Sequence, residues 1–248
     1  EEKTETDVPV EPEIQEPSVP EDLPDSIPSD SQGAVKEAAK GIEVPELEAA
    51  AATEANSITK DQAAAIKAES SLKGDENAKV EVQAYLKIEP QGYDVGQTYT
   101  LDITPVYDLV VTSNTAGAQN DVIKKEQPLS IHGKTTVSIP LPEGFVNEEQ
   151  DVYVQHKGYE YEAQVKAAGE QPSTTYIATF TNPHGFSVFT VTTESAAVAE
   201  VNGNRYTSFQ DAVDAAGDKA TVEVLKNENL TATMSGSSRT ITVKNGTG

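Results

Sequence analysis

The chain has 248 residues, with 41 Asp and Glu against 18 Lys and Arg, a net charge of −23 and no cysteine. The negative charge disfavours nucleic acid and anionic membranes as partners, because both require a positively charged surface. The lack of cysteine excludes disulfides, cysteine-ligated zinc and thiol nucleophiles, and membrane insertion is not expected because no apolar run reaches the roughly 18 residues of a membrane span.

The first 33 residues are acidic and rich in proline. They contain 11 acidic residues, one basic residue and six of the 14 prolines, and no aromatic residue precedes Tyr85. Such a segment buries too little apolar area to offset the entropy lost on ordering it. We therefore predict a disordered, extended linker over residues 1–33.

Alanine, glutamate and lysine dominate residues 34–78, which predicts a helical lead. Pro45 suits the first turn of one helix. A second helix is predicted from Thr59 to about Ser70, because Thr59 and Gln62 have the spacing of a capping box. The apolar face of this second helix is thin, so we expect it to require a neighbour on which to dock.

From Lys79 onward the apolar period becomes two, which is typical of strands with one buried face. Pro105 interrupts the second run, which indicates an edge strand, a bulge or two successive strands. Lys157-Gly158 is typical of a tight hairpin. About eight short strands over residues 79–194 favour a mainly β fold, an antiparallel β-sandwich with Ig-like or Greek-key connections, although a small closed barrel would show a similar pattern. The predicted strands are residues 79–88, 99–111, 129–131, 135–141, 152–156, 159–165, 175–181 and 186–192.

Residues 195–248 predict a small α+β unit. Asn202-Gly203 is a strong hairpin signal, and Ser208 is a suitable N-cap for a short helix. The apolar residues of that helix share one face: Phe209, Ala212, Val213 and Ala216. Two further strands are predicted at residues 221–225 and 240–244.

Several stretches resemble known modules. Residues 137–145 (VSIPLPEGF), 151–154 (DVYV) and 180–189 (FTNPHGFSVF) resemble a recurrent β-module of large modular surface proteins from Gram-positive gut anaerobes. The tail, with residues 201–203 (VNG), 206–209 (YTSF) and 222–226 (VEVLK), resembles the opening of a right-handed parallel β-helix, in which such a helix caps the first coil. The resemblance implies an extracellular protein, secreted or held at the bacterial cell surface. It also implies a fragment, since a solenoid requires several stacked coils to bury its core.

Two groups of residues are candidates for binding. Glu148, Glu149 and Asp151 form the densest acidic cluster of the β-region and could supply carboxylates to Ca²⁺, although they lack EF-hand spacing and a solvated turn is the alternative. Three tyrosines could stack on a sugar, with cross-strand packing as the alternative: Tyr153, Tyr159 and Tyr161. The alternation places the last two on one face.

No recognisable catalytic set accompanies these candidates. His132, His156 and His184 lie in separate strands or turns without metal-ligand spacing, and neither a nucleophile elbow nor a phosphate loop is present. We therefore expect no cofactor and a non-catalytic structural or adhesive module, a spacer or display domain, that is monomeric as a fragment. Its partner would be a host glycan or protein. The alternative is an accessory region of a surface glycan-processing enzyme whose active site lies outside this chain.

Overall fold

A computed structural model describes residues 10–169, 175–226, 230–234 and 238–246. Strands hold 42% of the chain and helices 17%, which confirms a mainly β protein. The strands are β1 Glu11–Ile14, β2 Ala78–Asp94, β3 Thr98–Ser113, β4 Asp121–Pro128, β5 Thr135–Pro140, β6 Val152–His156, β7 Tyr159–Ala168, β8 Thr175–Asn182, β9 Val188–Thr192, β10 Ala199–Val201, β11 Asn204–Tyr206, β12 Thr221–Val224 and β13 Thr242–Asn245. The helices are α1 Gln32–Lys40, α2 Glu46–Ser57, α3 Lys60–Glu69 and α4 Phe209–Ala215.

The strands form an open, mixed sheet. The pairs β1/β2 and β12/β13 are parallel, so the purely antiparallel arrangement expected from the sequence does not describe the whole chain. The strand order is β1-β2-β3-β9-β6-β7-β11-β10-β12-β13, with β4 beside β3 and with β8 between β7 and β5. The sandwich and its Ig-like or Greek-key connections stay predictions.

The long hairpin β2/β3 shows how well the period of two indicates strands. Alternate residues of β2 from Val80 to Ile88 are buried, as the alternation predicts. Pro105 lies inside a continuous β3 opposite Leu86, and the irregular register falls instead where β3 pairs with β4. The predicted strand at 129–131 is wrong: the strand β4 precedes it. The side chains of β4 are mostly exposed and charged, so this edge strand carries no apolar alternation.

The first correction concerns the N-terminal segment. Residues 1–9 lie outside the described residues, but the prediction of a disordered linker does not hold for residues 10–31. Here β1 pairs with β2, Lys79 Nζ lies 2.6 Å from Glu11 Oε2, and Leu23 and Ile27 are buried in the main core. The acidic side chains of this segment face solvent, so their charge does not oppose the burial of its few apolar residues.

The helical lead belongs to the same core as the β-strands. Thr59 and Gln62 form the predicted capping box, with Gln62 N donating to Thr59 Oγ1 over 3.3 Å. The expected docking partner of α3 is the β2/β3 hairpin, where Ala63 packs against Val80 and Val111. Helices α1 and α2 bury small side chains against the main core instead. The lead also covers the outer edge of β5, since the backbones of Glu43 and Ser138 exchange two 3.0 Å hydrogen bonds.

Two glycines of α1 provide a test of this packing. A Cβ on Gly41 would lie 2.8 Å from Pro140 Cγ, whereas a Cβ on Gly33 would meet nothing within 4 Å. We expect Gly41→Ala to lower the free energy of unfolding by about 2 kcal/mol through overpacking. The matched change Gly33→Ala is expected to raise it by up to about 1 kcal/mol through helix propensity. Urea unfolding of both variants checks the pair, and equal effects would contradict the docking of α1 against β5.

The C-terminal unit, residues 195–246, has a small core of its own. Asn202 and Gly203 have positive φ (51° and 78°), the turn geometry expected for the β10/β11 hairpin. Ser208 Oγ accepts from Asp211 N and caps α4 as predicted. Side chains from α4 and three strands meet there: Ala199, Val201, Tyr206, Ala212, Ala216 and Val222.

Candidate functional site

The structure does not gather the predicted calcium ligands. Glu148, Glu149 and Asp151 are exposed on the connection between β5 and β6. Glu149 Oε1 accepts a 3.0 Å hydrogen bond from Ala167 N, and Glu149 Oε2 lies 3.8 Å from Lys166 Nζ. Within the described residues, no group of three or more His, Asp or Glu side chains is arranged to hold a metal ion. One of the three carboxylates is therefore paired with its own protein.

The three candidate tyrosines lie on two faces of the sheet. Tyr161 pairs with Val154 and Tyr159 with His156, whereas Tyr153 pairs with Glu162. Cross-strand partners project to the same side, so Tyr159 and Tyr161 share a face, as the alternation predicts, and Tyr153 lies on the other.

Each tyrosine ring is engaged by the protein itself. Tyr159 stacks on the His184 ring at 3.7 Å and contacts Tyr206 at 5.0 Å. Tyr161 stacks on Phe180 at 5.5 Å, and the Arg205 guanidinium lies 5.3 Å from the Tyr153 ring centroid. This arrangement matches the cross-strand packing that the sequence analysis gave as the alternative to a sugar platform.

The strongest constellation of polar groups surrounds Glu160, in the middle of β7. Its carboxylate is buried, with 3% of the residue exposed. It accepts hydrogen bonds from Ala196 N (2.6 Å), Ala197 N (2.9 Å) and Ser195 Oγ (2.7 Å). Arg205 Nη2 lies 3.2 Å from the same carboxylate. Four donors therefore compensate the burial of this charge. We call Glu160 and these four donors the carboxylate clamp.

Strand pairing reinforces the carboxylate clamp. β11 pairs with the start of β7, with Tyr206 opposite Tyr159. Thr207 N donates to Gly158 O over 3.0 Å, and burial raises the pKa of Tyr206 to about 12. The C-terminal unit is therefore held to residues 79–194, here called the β-domain, by a continuous sheet as well as by the clamp. We call this set of contacts the junction.

A cleft of about 380 Å³ opens beside the junction. β7 pairs with β11 through Glu160, and it pairs with β8 only from Gln164 onward, so the cleft lies where one strand edge changes partner. Its lining is polar with two tyrosines: Tyr159, Glu160, Tyr161, Glu162, Thr181, Gly203, Asn204 and Arg205. Arg205 is already paired with Glu160 and Glu162. The hydroxyl of Ser195 donates to Glu160 and accepts from Arg205. The chemistry of the wall is therefore that of mutual neutralisation and orientation.

Sequence reasoning missed the carboxylate clamp. In the run Tyr159-Glu160-Tyr161-Glu162 both glutamates fall on the polar phase of the alternation, which indicates solvent exposure for both. Glu162 is exposed, as expected, but the C-terminal unit covers Glu160. Only the proximity of Arg205 and Ser195 in the fold distinguishes the two residues.

Comparisons with known proteins do not add to this picture. No protein-family model, no curated protein and no solved structure matches the chain. Among the described residues, no helix has the length and apolar character needed to cross a membrane. The functional argument therefore depends on the geometry of the chain itself.

Proposed function

We propose that the chain is a non-catalytic structural module of a secreted bacterial cell-surface protein, in which it acts as a spacer that holds its neighbours in a fixed geometry. The carboxylate clamp carries this proposal. A buried charge with four partners is strongly directional, because displacing any partner exposes an uncompensated charge in the interior. Such a contact suits a junction that keeps one orientation.

The N-terminal segment supports the same function. Residues 10–57 pack into the main core and cover the edge of β5 instead of forming a separate unit. A chain that enters through a packed segment and leaves through a clamped unit has little freedom to bend between the two. A stiff connection is what a spacer requires.

A sandwich remains our proposal for the β-domain. Residues 159–163 of β7 pair with β6, whereas residues 164–168 pair with β8. A strand that changes partner along its length is typical of the corner between two packed sheets. Side chains from β3, β5 and β9 meet in one core, among them Leu101, Ile139 and Phe189, which favours two layers over a flat sheet.

A display function follows from the end of the C-terminal unit. β12 and β13 pair in parallel, with Thr221 opposite Thr242 and Val222 opposite Val243, 21 residues later in each case. Lys244 Nζ lies 2.5 Å from Glu223 Oε1 across the pair. Stacking of like on like at a constant spacing is typical of successive coils of a solenoid, and it supports the proposal that the β-domain presents the start of a parallel β-helix.

Spin labels provide the test of the spacer. The chain has no cysteine, so Val95→Cys in the β2/β3 turn and Val243→Cys in β13, both more than half exposed, place two labels selectively. We expect a single narrow distribution of label-to-label distances at pH 7.5, and a broad one when Glu160→Ala is added. A broad or bimodal distribution in the otherwise unchanged chain would contradict a rigid spacer.

The adhesive version of the proposal has its own test. The cleft beside the junction has the size of a small-ligand site and exposes polar groups of Glu162, Thr181 and Asn204. Screens on immobilised glycans and on host extracellular proteins would reveal an adhesive module as a signal that Asn204→Ala weakens. Silence in both screens would leave the spacer alone.

A further inference from the structure

Two of the three histidines converge beside the junction. The ring of His156 stacks on Phe189 at 4.0 Å, and the residue is 2% exposed. Its Nδ1 lies 2.9 Å from Val188 O. Its Nε2 is buried and has no hydrogen-bond partner among the described residues. An imidazole in this position is held neutral, since a proton on Nε2 would place a charge in the core.

His184 lies on the connection between β8 and β9 and contacts β7. Its ring stacks on Tyr159 at 3.7 Å, and its Nδ1 lies 2.6 Å from Tyr161 Oη. Its carbonyl oxygen accepts a hydrogen bond of 2.8 Å from Lys157 Nζ. We refer to His156 and His184 as the histidine pair.

The charged and titratable groups around the histidine pair are Lys157 from the β6/β7 turn, and Tyr159 and Tyr161 from β7. Tyr206 lies behind Tyr159, and the Asp211 carboxylate lies against Gly158 on the far side of that turn. In the described part of the chain no carboxylate forms an ion pair with either imidazole. Burial lowers the pKa of both His156 and His184, and the Lys157 ammonium lowers both further.

The histidine pair is connected to the junction through the β6/β7 turn. Gly158 O accepts from both the amide and the hydroxyl of Thr207, at 3.0 and 3.3 Å. Tyr159 stacks on His184 with one contact and reaches Tyr206 of the C-terminal unit with the other. A shift of the histidine pair therefore displaces groups that hold the C-terminal unit in place.

We propose that the histidine pair is a pH-sensitive switch that loosens the junction between the β-domain and the C-terminal unit in mildly acidic solution. The folded chain disfavours both imidazolium ions, so the neutral pair contributes its full stability above the unfolded pKa near 6.5. This contribution is lost as the pH falls below that value toward the lower pKa of the folded state. The second imidazolium adds to the first and to Lys157, so the effect of the two rings is cumulative.

Amide hydrogen exchange of the intact chain at pH 7.5 and 5.0, corrected for the intrinsic rates, tests the switch. We expect residues 195–207 and 182–188 to exchange about fivefold faster at pH 5.0, with no change in the β2/β3 hairpin. The double change His156→Gln and His184→Gln is expected to abolish this difference, because the amide does not titrate. His132→Gln, at an exposed position, is expected to retain it.

Three results would overturn the proposal: equal exchange at both pH values, loss of the pH effect in His132→Gln, or its persistence in the double variant. Titration of the unsubstituted chain by NMR guards against a double variant that fails to fold. There the two imidazoles of the pair are expected to titrate below 6.5, and values at or above 6.5 for both would reject the switch. These readouts report only the junction, so they stand apart from the outcome of the binding screens.

Discussion

Replacement of Glu160 by alanine is expected to lower the free energy of unfolding by about 3 kcal/mol, because removing one member of a buried charge network leaves its partners without compensation. The amides of Ala196 and Ala197 and the hydroxyl of Ser195 lose their acceptor, and Arg205 loses its closest carboxylate. The C-terminal unit carries the damage, so its amides are expected to lose protection before those of β2 and β3. Urea unfolding together with amide hydrogen exchange measures both effects.

Glu162 is the matched control for this change. It lies two residues further along β7 and 3.7 Å from the same Arg205, but its side chain is 58% exposed. Glu162→Ala is therefore expected to cost less than about 1 kcal/mol, as is usual for an exposed ion pair. Similar effects of the two substitutions would mean that the carboxylate clamp does not hold the junction.

Ile27→Ala is expected to cost about 3 kcal/mol of unfolding free energy, the usual effect of truncating a fully buried aliphatic side chain. Ile27 is 1% exposed and belongs to the main core, together with Leu23. Removing three carbons there leaves a cavity between the N-terminal segment and the β-domain. Chemical unfolding monitored by tyrosine fluorescence measures the loss.

Ile14→Ala provides the comparison on the same segment, since Ile14 is 44% exposed. A change within about 0.5 kcal/mol is expected there. If Ile27→Ala also had no effect, residues 10–31 would behave as the disordered linker that their composition predicts, and the packing described above would be wrong. Protease sensitivity of residues 19–31 distinguishes the two cases independently.

The composition of the N-terminal segment concealed a weak but real signal. Val19, Leu23 and Ile27 recur every four residues among exposed acids and prolines, and all three pack against the main core. Averaging over 33 residues removed that pattern, because composition counts charges without recording which side of the chain they occupy. The β-domain then supplies the apolar surface that the segment lacks by itself.

The carboxylate clamp and the histidine pair show the same limit. His156 and His184 are 28 positions apart in sequence, and Glu160 and Arg205 are 45 apart. Their environments come from strand pairings between distant segments. A strand pattern states which residues share a face, but it does not state what covers that face.

The sequence by itself determined the local elements of this protein. The period of two in β2, the Lys157-Gly158 and Asn202-Gly203 turns, and the Thr59 and Ser208 caps all involve interactions among neighbours in the chain, so their residues suffice to specify them. Tertiary structure alone decided that the acidic segment is packed, that β1 and β13 join the sheet in parallel, and that Glu160 is buried. Those outcomes depend on the free energy of contacts between segments far apart in sequence, and no local pattern encodes that quantity.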